Sequence, residues 1–227
     1  AQASANTSIR NIYDMFVETI TNVEDEYERF FKPSKKYRGE CRIELERGNV
    51  KNLSIIRIKD KGSGMSSEKL ENVLSNHGAE IKSDGASRGF FGRGLIDIAV
   101  LGEVTIKTIK DKKYSEAVIY QDVLKYSIVK KDTTPSKQNI KDVSKHGTTV
   151  ELKIPVGGIP IPQFDTLVEN LSQHYLLRHI LNVESKDDYG NTLKLMLHNK
   201  KKDIPIEYKF PKAEKIYDNL IGLSPKK

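Results

Sequence analysis

The chain has 227 residues, with 38 Lys and Arg against 31 Asp and Glu, a formal charge of +7 and a hydrophobic content of 37%. It is long enough to bury a core without covalent staples, and its single cysteine, Cys41, excludes an internal disulfide or a cysteine-based zinc site and fits a reducing, cytoplasmic setting. No apolar run approaches the roughly 18 residues of a membrane span, and the first six residues lack the basic and apolar regions of a signal peptide.

Between Thr7 and Phe31 the apolar residues Ile9, Ile12, Tyr13, Phe16, Ile20, Val23, Tyr27 and Phe30 recur at three- and four-residue steps, which predicts an amphipathic helix. Pro33 stops it. Cys41-Ile43-Leu45 and Leu53-Ile55-Ile58 then alternate around Gly48-Asn49 and predict a hairpin with one buried face. Ser66 or Ser67 caps a short helix to about Leu74. Residues 75–89, rich in Gly, Ser, Lys and Asp, read as a mobile surface loop. Gly94 to Leu101 follows as a buried helix entered through a glycine turn. Val104–Ile109, Tyr114–Tyr120, Leu124–Val129 and Thr148–Ile154 read as strands. After Pro155, Pro160 and Pro162 a second long helix is expected over Phe164–Leu181. Strands at Thr192–Leu197 and Ile204–Tyr208 and a helix at Pro211–Ile221 complete the chain. This order argues for α+β, with the helices on one face of a sheet.

Four short segments stand out for their chemistry. On the first helix, Glu18, Asn22 and Asp25 share one polar stripe, nearly opposite the apolar face. Taken alone it reads as a solvated outer face; the sharper reading is a carboxylate orienting a water beside an amide oxygen that binds Mg²⁺. Next, Ile58-Lys59-Asp60-Lys61-Gly62-Ser63-Gly64-Met65 runs an apolar strand into an aspartate and two alternating glycines. This is either a plain turn or a carboxylate placed to accept from an amino group such as adenine N6. Third, Ser87-Arg88-Gly89-Phe90-Phe91-Gly92-Arg93-Gly94-Leu95 opens the buried helix with freed backbone N–H groups and cations, a setting that suits an anion. Last, His146-Gly147-Thr148-Thr149-Val150 brings two hydroxyls to the start of a late strand.

In this order the four segments resemble the GHKL superfamily of ATPases, which includes gyrase B, heat-shock chaperone, MutL and MORC types and the sensor histidine kinases. Glu18 to Asp25 is similar to the family's Glu-Leu-Ile-Asp-Asn-Ser-x-Asp pattern, and Asp60 to Met65 to its Asp-Asn-Gly-x-Gly-Met. The resemblance spans residues 6–155, with Val23, Glu26, Lys61 and Arg93 departing from the usual types. It implies a Bergerat-type two-layer sandwich with a mixed, mostly antiparallel sheet. Residues 1–155 would be the ATP-binding core and 156–227 an extension of the same domain, in the N-terminal part of a longer protein.

The resemblance also implies roles. Glu18 would be the general base for the attacking water, and Asn22 would coordinate Mg²⁺ at the phosphates. Asp60 would bind the adenine amino group, with Thr148 supporting it through water. Gly62, Gly64 and Met65 would shape the adenine pocket, and Phe91, Gly92, Arg93, Gly94 and Leu95 would surround the phosphates. Residues 75–88 would form a lid, with Lys82 and Arg88 as further cations near the phosphates. The expected activity is Mg²⁺-dependent ATP binding and slow hydrolysis, with lid closure gating homodimerisation or further domains.

Two alternatives stand beside it. A sensor-type protein kinase module is one, although Glu18 favours hydrolysis over transfer to a protein histidine. An ATP-gated DNA-binding module is the other, since the basic balance attracts phosphates without sequence preference. The lysine groups, scattered among acids, read as a solvated surface, and His174 and His179 read as structural.

Overall fold

The structure is a computed structural model and describes residues 9–30, 40–49, 52–75, 93–121, 125–177, 194–198 and 203–209. The first helix, α1 (Ile12–Phe30), starts where the Asn11 side chain accepts from the Tyr13 and Asp14 N–H groups at 2.8 and 3.1 Å. Its buried Ile12, Met15, Phe16, Ile20, Val23 and Tyr27 give it the expected apolar face. The hairpin follows as β1 (Glu40–Glu46) and β2 (Ser54–Asp60). Next come α2 (Ser67–Ser75), α3 (Arg93–Asp97) with a short 3-10 turn at Ile98–Val100, β3 (Glu103–Lys110), β4 (Lys113–Ile119), β5 (Tyr126–Thr133), α4 (Lys137–Val143), β6 (Gly147–Ile154), α5 (Phe164–Gln173), β7 (Lys194–His198) and β8 (Asp203–Ile206).

All eight strands join one sheet in the order β5-β4-β3-β6-β2-β1-β7-β8. Every neighbouring pair is antiparallel except β1 with β7. The result is an α+β fold with a mixed, mostly antiparallel sheet.

The register stacks the inward residues into rows. Leu45, Ile56, Leu152, Val104 and Ile119 form one row across β1, β2, β6, β3 and β4; Ile43, Ile58, Val150, Ile106 and Ala117 form the next. Against these rows pack α1, Leu70, Val73 and Leu74 of α2, Leu95 and Ile96 of α3, and Leu167 and Leu171 of α5, all in one hydrophobic core. One further step along the strands, the row turns polar: Cys41, Asp60, Thr148, Thr108 and Ser115. The site grows from that row.

Three expectations differ from what is observed. Not every helix lies on one face, because α4 packs on the opposite side of the sheet. There Lys107 reaches Asp142 at 3.2 Å, the Thr149 hydroxyl donates to the Asp142 carbonyl at 2.9 Å, and Val143 buries against Ile109 and Tyr114. The second long helix stops at Gln173: His174 takes an extended backbone, and a 3-10 turn at Tyr175–Leu177 replaces the continuation. Strand β5 begins at Tyr126 rather than Leu124. The expected terminal helix at 211–221 lies outside the described residues. Among the described residues no helix is long and apolar enough to cross a membrane.

Candidate functional site

At the end of β2, backbone amides grip one oxygen of Asp60. Its Oδ1 accepts from the Gly62 N–H at 2.7 Å and the Thr148 N–H at 3.1 Å, while Oδ2 has no partner among the described residues. Burial pushes the Asp60 carboxyl up to about 7, the two amides pull against that shift, Glu26 adds to it, and His146 opposes it. The result is a buried carboxylate with one oxygen held by the fold and one left for a donor.

The turn after Asp60 is built around its glycines. Gly64 sits at φ +70°, where a side chain is strained, and a Cβ there would overlap the Ile109 carbonyl. Met65 is buried, and its N–H donates to the Thr108 hydroxyl at 2.8 Å. On the outer side of the turn, Tyr27 accepts from the Lys61 N–H and donates to the Glu40 carbonyl, each at 2.8 Å. Ser63 donates to Glu26, and the His146 imidazole lies 2.8 Å from the Gly62 carbonyl. Four elements thus fix one short segment.

The polar stripe of α1 is not a solvated face, and this corrects the simplest sequence reading. Glu18 and Asn22 are half-buried and Asp25 is buried, because the start of α3 and the turn after β2 cover that side of the helix. A Cβ on Gly94 would overlap Glu18 Oε1, so a side chain there would displace the Glu18 carboxylate from this position. Glu18 Oε1 accepts from Asn22 Nδ2 at 3.2 Å, which fixes the amide and leaves Asn22 Oδ1 buried without a hydrogen bond among the described residues. Burial raises the Glu18 carboxyl above its ordinary range; the Asn22 bond opposes this, and Asp97 and Asp25 add repulsion.

An orphaned amide oxygen beside a carboxylate is a hard-cation ligand in waiting. Among the described residues no group of three His, Cys, Asp or Glu side chains is disposed to hold a metal by itself. Asn22 Oδ1 offers a single open oxygen donor, of the kind a hard cation accepts. Compared with known proteins, the sequence matches no family model and no curated protein.

Of the residues singled out from sequence, Asp60, Gly62, Gly64, Met65 and Thr148 meet at one locus, and Glu18, Asn22 and Gly94 at a second. Arg93 and Leu95 belong to the same short helix as Gly94, Leu95 buried. Phe91, Gly92, Lys82, Arg88 and residues 76–88 of the expected lid lie outside the described residues. Sequence reasoning passed over Thr108 and Tyr27. Thr108 sits in Val104-Thr105-Ile106-Lys107-Thr108-Ile109, where a β-branched residue looks like plain strand, and only its cross-strand register with Thr148 reveals it.

Proposed function

We propose that this chain is a Mg²⁺-dependent ATP-binding and ATP-hydrolysing domain of the GHKL kind, built on a Bergerat-type sandwich. One observation carries the reading. The open acceptors, Asp60 Oδ2 and the buried Asn22 Oδ1, belong to the two motifs, on β2 and α1, that the resemblance assigns to the purine and the phosphates. In this reading Asp60 accepts from the adenine amino group, with Thr148 beside it and Gly62, Gly64 and Met65 forming the pocket wall. The backbone amides of Arg93, Gly94 and Leu95, which open α3 and have no intrahelical acceptor, serve the phosphate end with Phe91 and Gly92.

Asn22 would hold Mg²⁺, which when bound neutralises phosphate charge and orients the transferring group. Glu18 orients the attacking water and takes its proton. Its buried position raises its basicity, and its bond to Asn22 keeps the carboxylate aimed. A carboxylate at position 18 favours water as the acceptor over a protein side chain. The described cations on the sheet's outer face, Arg57, Lys59, Lys107 and Lys153, each meet a carboxylate, which favours a nucleotide over a nucleic-acid backbone as ligand. Lid closure would then gate dimerisation or further domains.

Calorimetric titration with a non-hydrolysable ATP analogue tests the reading. Binding that weakens by at least about tenfold without Mg²⁺, while adenosine binding stays unchanged, is the expected result. No binding in either condition refutes the assignment.

A further inference from the structure

From the hydroxyl network behind Asp60 we infer that Thr108 is a positioning residue that makes this wall of the pocket an acceptor-only surface, selecting a 6-aminopurine nucleotide over a 6-oxopurine one. The inference rests on the nucleotide-binding reading above and deepens it. Thr108 and Thr148 face each other across β3 and β6, in the same polar row as Asp60. Their hydroxyl oxygens lie 3.3 Å apart.

A threonine hydroxyl has one proton to give and two lone pairs to fill. Thr108 is fully buried and gives its proton to the Gly147 carbonyl at 3.0 Å. One of its lone pairs takes the Met65 N–H at 2.8 Å. The proton between the two hydroxyls must therefore come from Thr148. With its proton turned inward to Thr108, Thr148 has only lone pairs left for other partners. Asp60, once ionised above about pH 7, is in the same condition, since both protons on Oδ1 come from backbone amides and Oδ2 is open.

Two neighbouring acceptors and no donor define the ligand edge that fits. An exocyclic amino group brings two N–H donors and satisfies both, directly or through one water. An oxo group at the same position brings lone pairs against lone pairs. Sites that hydrogen-bond one ligand group reject its mismatched analogue strongly, because the site's own buried polar groups are then left unpaired. Thr108 exerts this effect without touching the ligand. It acts by consuming the one proton that would otherwise let Thr148 turn into a donor.

The test is the ratio of ITP to ATP dissociation constants, measured with non-hydrolysable analogues at fixed Mg²⁺ and at a pH well above 7, where Asp60 is ionised, on wild type and three variants. Wild type should favour the ATP analogue by about 10² or more. Thr108→Val removes the sink for the Thr148 proton, and the ratio should fall by about tenfold as the freed hydroxyl donates to the oxo group. Thr108→Ser keeps the hydroxyl and should keep the wild-type ratio. Thr148→Val has a half-buried side chain whose hydroxyl meets only Thr108 among the described residues, so it guards against Thr108→Val failing to fold, and its ratio should also fall.

Equal weakening of both nucleotides in Thr108→Val, or an unchanged ratio in Thr148→Val, would overturn the inference and leave these residues as structural. Wild type binding both analogues equally also sinks it, while nucleotide binding itself survives. Wild type binding neither analogue instead removes the functional reading on which it stands.

Discussion

The two faces of the sheet differ in how many polar groups they carry and in how those groups are satisfied. On the outer face charges close on each other: Arg57 joins Glu151 at 2.6 Å and Glu46 at 3.1 Å, Lys59 joins Glu44 at 3.0 Å, and Lys153 joins Glu103 at 2.9 Å. A groove of about 890 Å³ lies there beside α4, lined largely by paired charges and reaching Asp60 at the end of β2. On the inner face there are fewer polar groups, and two of their acceptors, Asp60 Oδ2 and Asn22 Oδ1, are left open. The charges lining the groove are largely paired with one another, whereas an open acceptor marks a place for a ligand, because burying a polar atom costs free energy that only a partner returns.

The sharpest break in this contrast is Glu18→Ala. It should lower phosphate release by about 10²–10⁴ while leaving ATP affinity nearly intact, as removal of a general base does. Unchanged turnover would take Glu18 out of the chemistry. Asp60→Asn comes next, with ATP affinity down by about tenfold to a hundredfold, the scale of one hydrogen bond to a charged group; titration calorimetry reads it directly.

Asp60 also sets a pH dependence. Burial favours the protonated acid in the folded chain, with its value raised to about 7, against 3.8 for an ordinary aspartate. Between those values folding takes up a proton, so the empty domain loses stability as pH rises towards 7 and levels off above. ATP binding runs the opposite way, strengthening as pH rises through 7, because the amino group needs the ionised acceptor. In Asp60→Asn both slopes should flatten in thermal melts and titrations. Slopes that persist would assign them to another group.

The outer face should respond in stability alone. Arg57→Leu leaves buried Glu151 with only Lys107, at 3.8 Å, as a cation among the described residues, and should cost about 1–3 kcal/mol in denaturant unfolding with ATP affinity unchanged. Adding Glu151→Leu should recover much of the loss. Smallest of all is Lys131→Ala, away from the outer face at the exposed pair with Glu71 of α2, where the change should stay within about 0.5 kcal/mol. A loss of nucleotide affinity in any outer-face variant would erase the distinction between the faces.

Much of this organisation was legible in the residues, and the parts that were not share a physical cause. The hairpin carrying Asp60 follows from alternation and the Gly-containing turn, both of them local. The polar stripe on α1 looked solvated because helical periodicity describes one helix, whereas its cover comes from Gly94, far along the chain. Helix α4 lacks an apolar stripe; Val143 is its one buried residue, and its start is fixed by the reciprocal bonds of Ser136 and Asn139. The early end of α5 at His174 had no proline or glycine to announce it. In each case the deciding contact is distant in sequence or polar rather than apolar, and periodicity sees neither.

The parallel pairing of β1 with β7 sets the order in which the chain can assemble. Ile43, fully buried, has Leu197 as its cross-strand neighbour, so one edge of the hairpin that presents Asp60 is completed by a strand synthesised late. Until β7 and β8 emerge from the ribosome, β1 offers an unpaired ladder to any passing strand. A fragment ending before residue 194 would keep both groups of candidate site residues yet display a sticky border, and should be prone to clumping during expression.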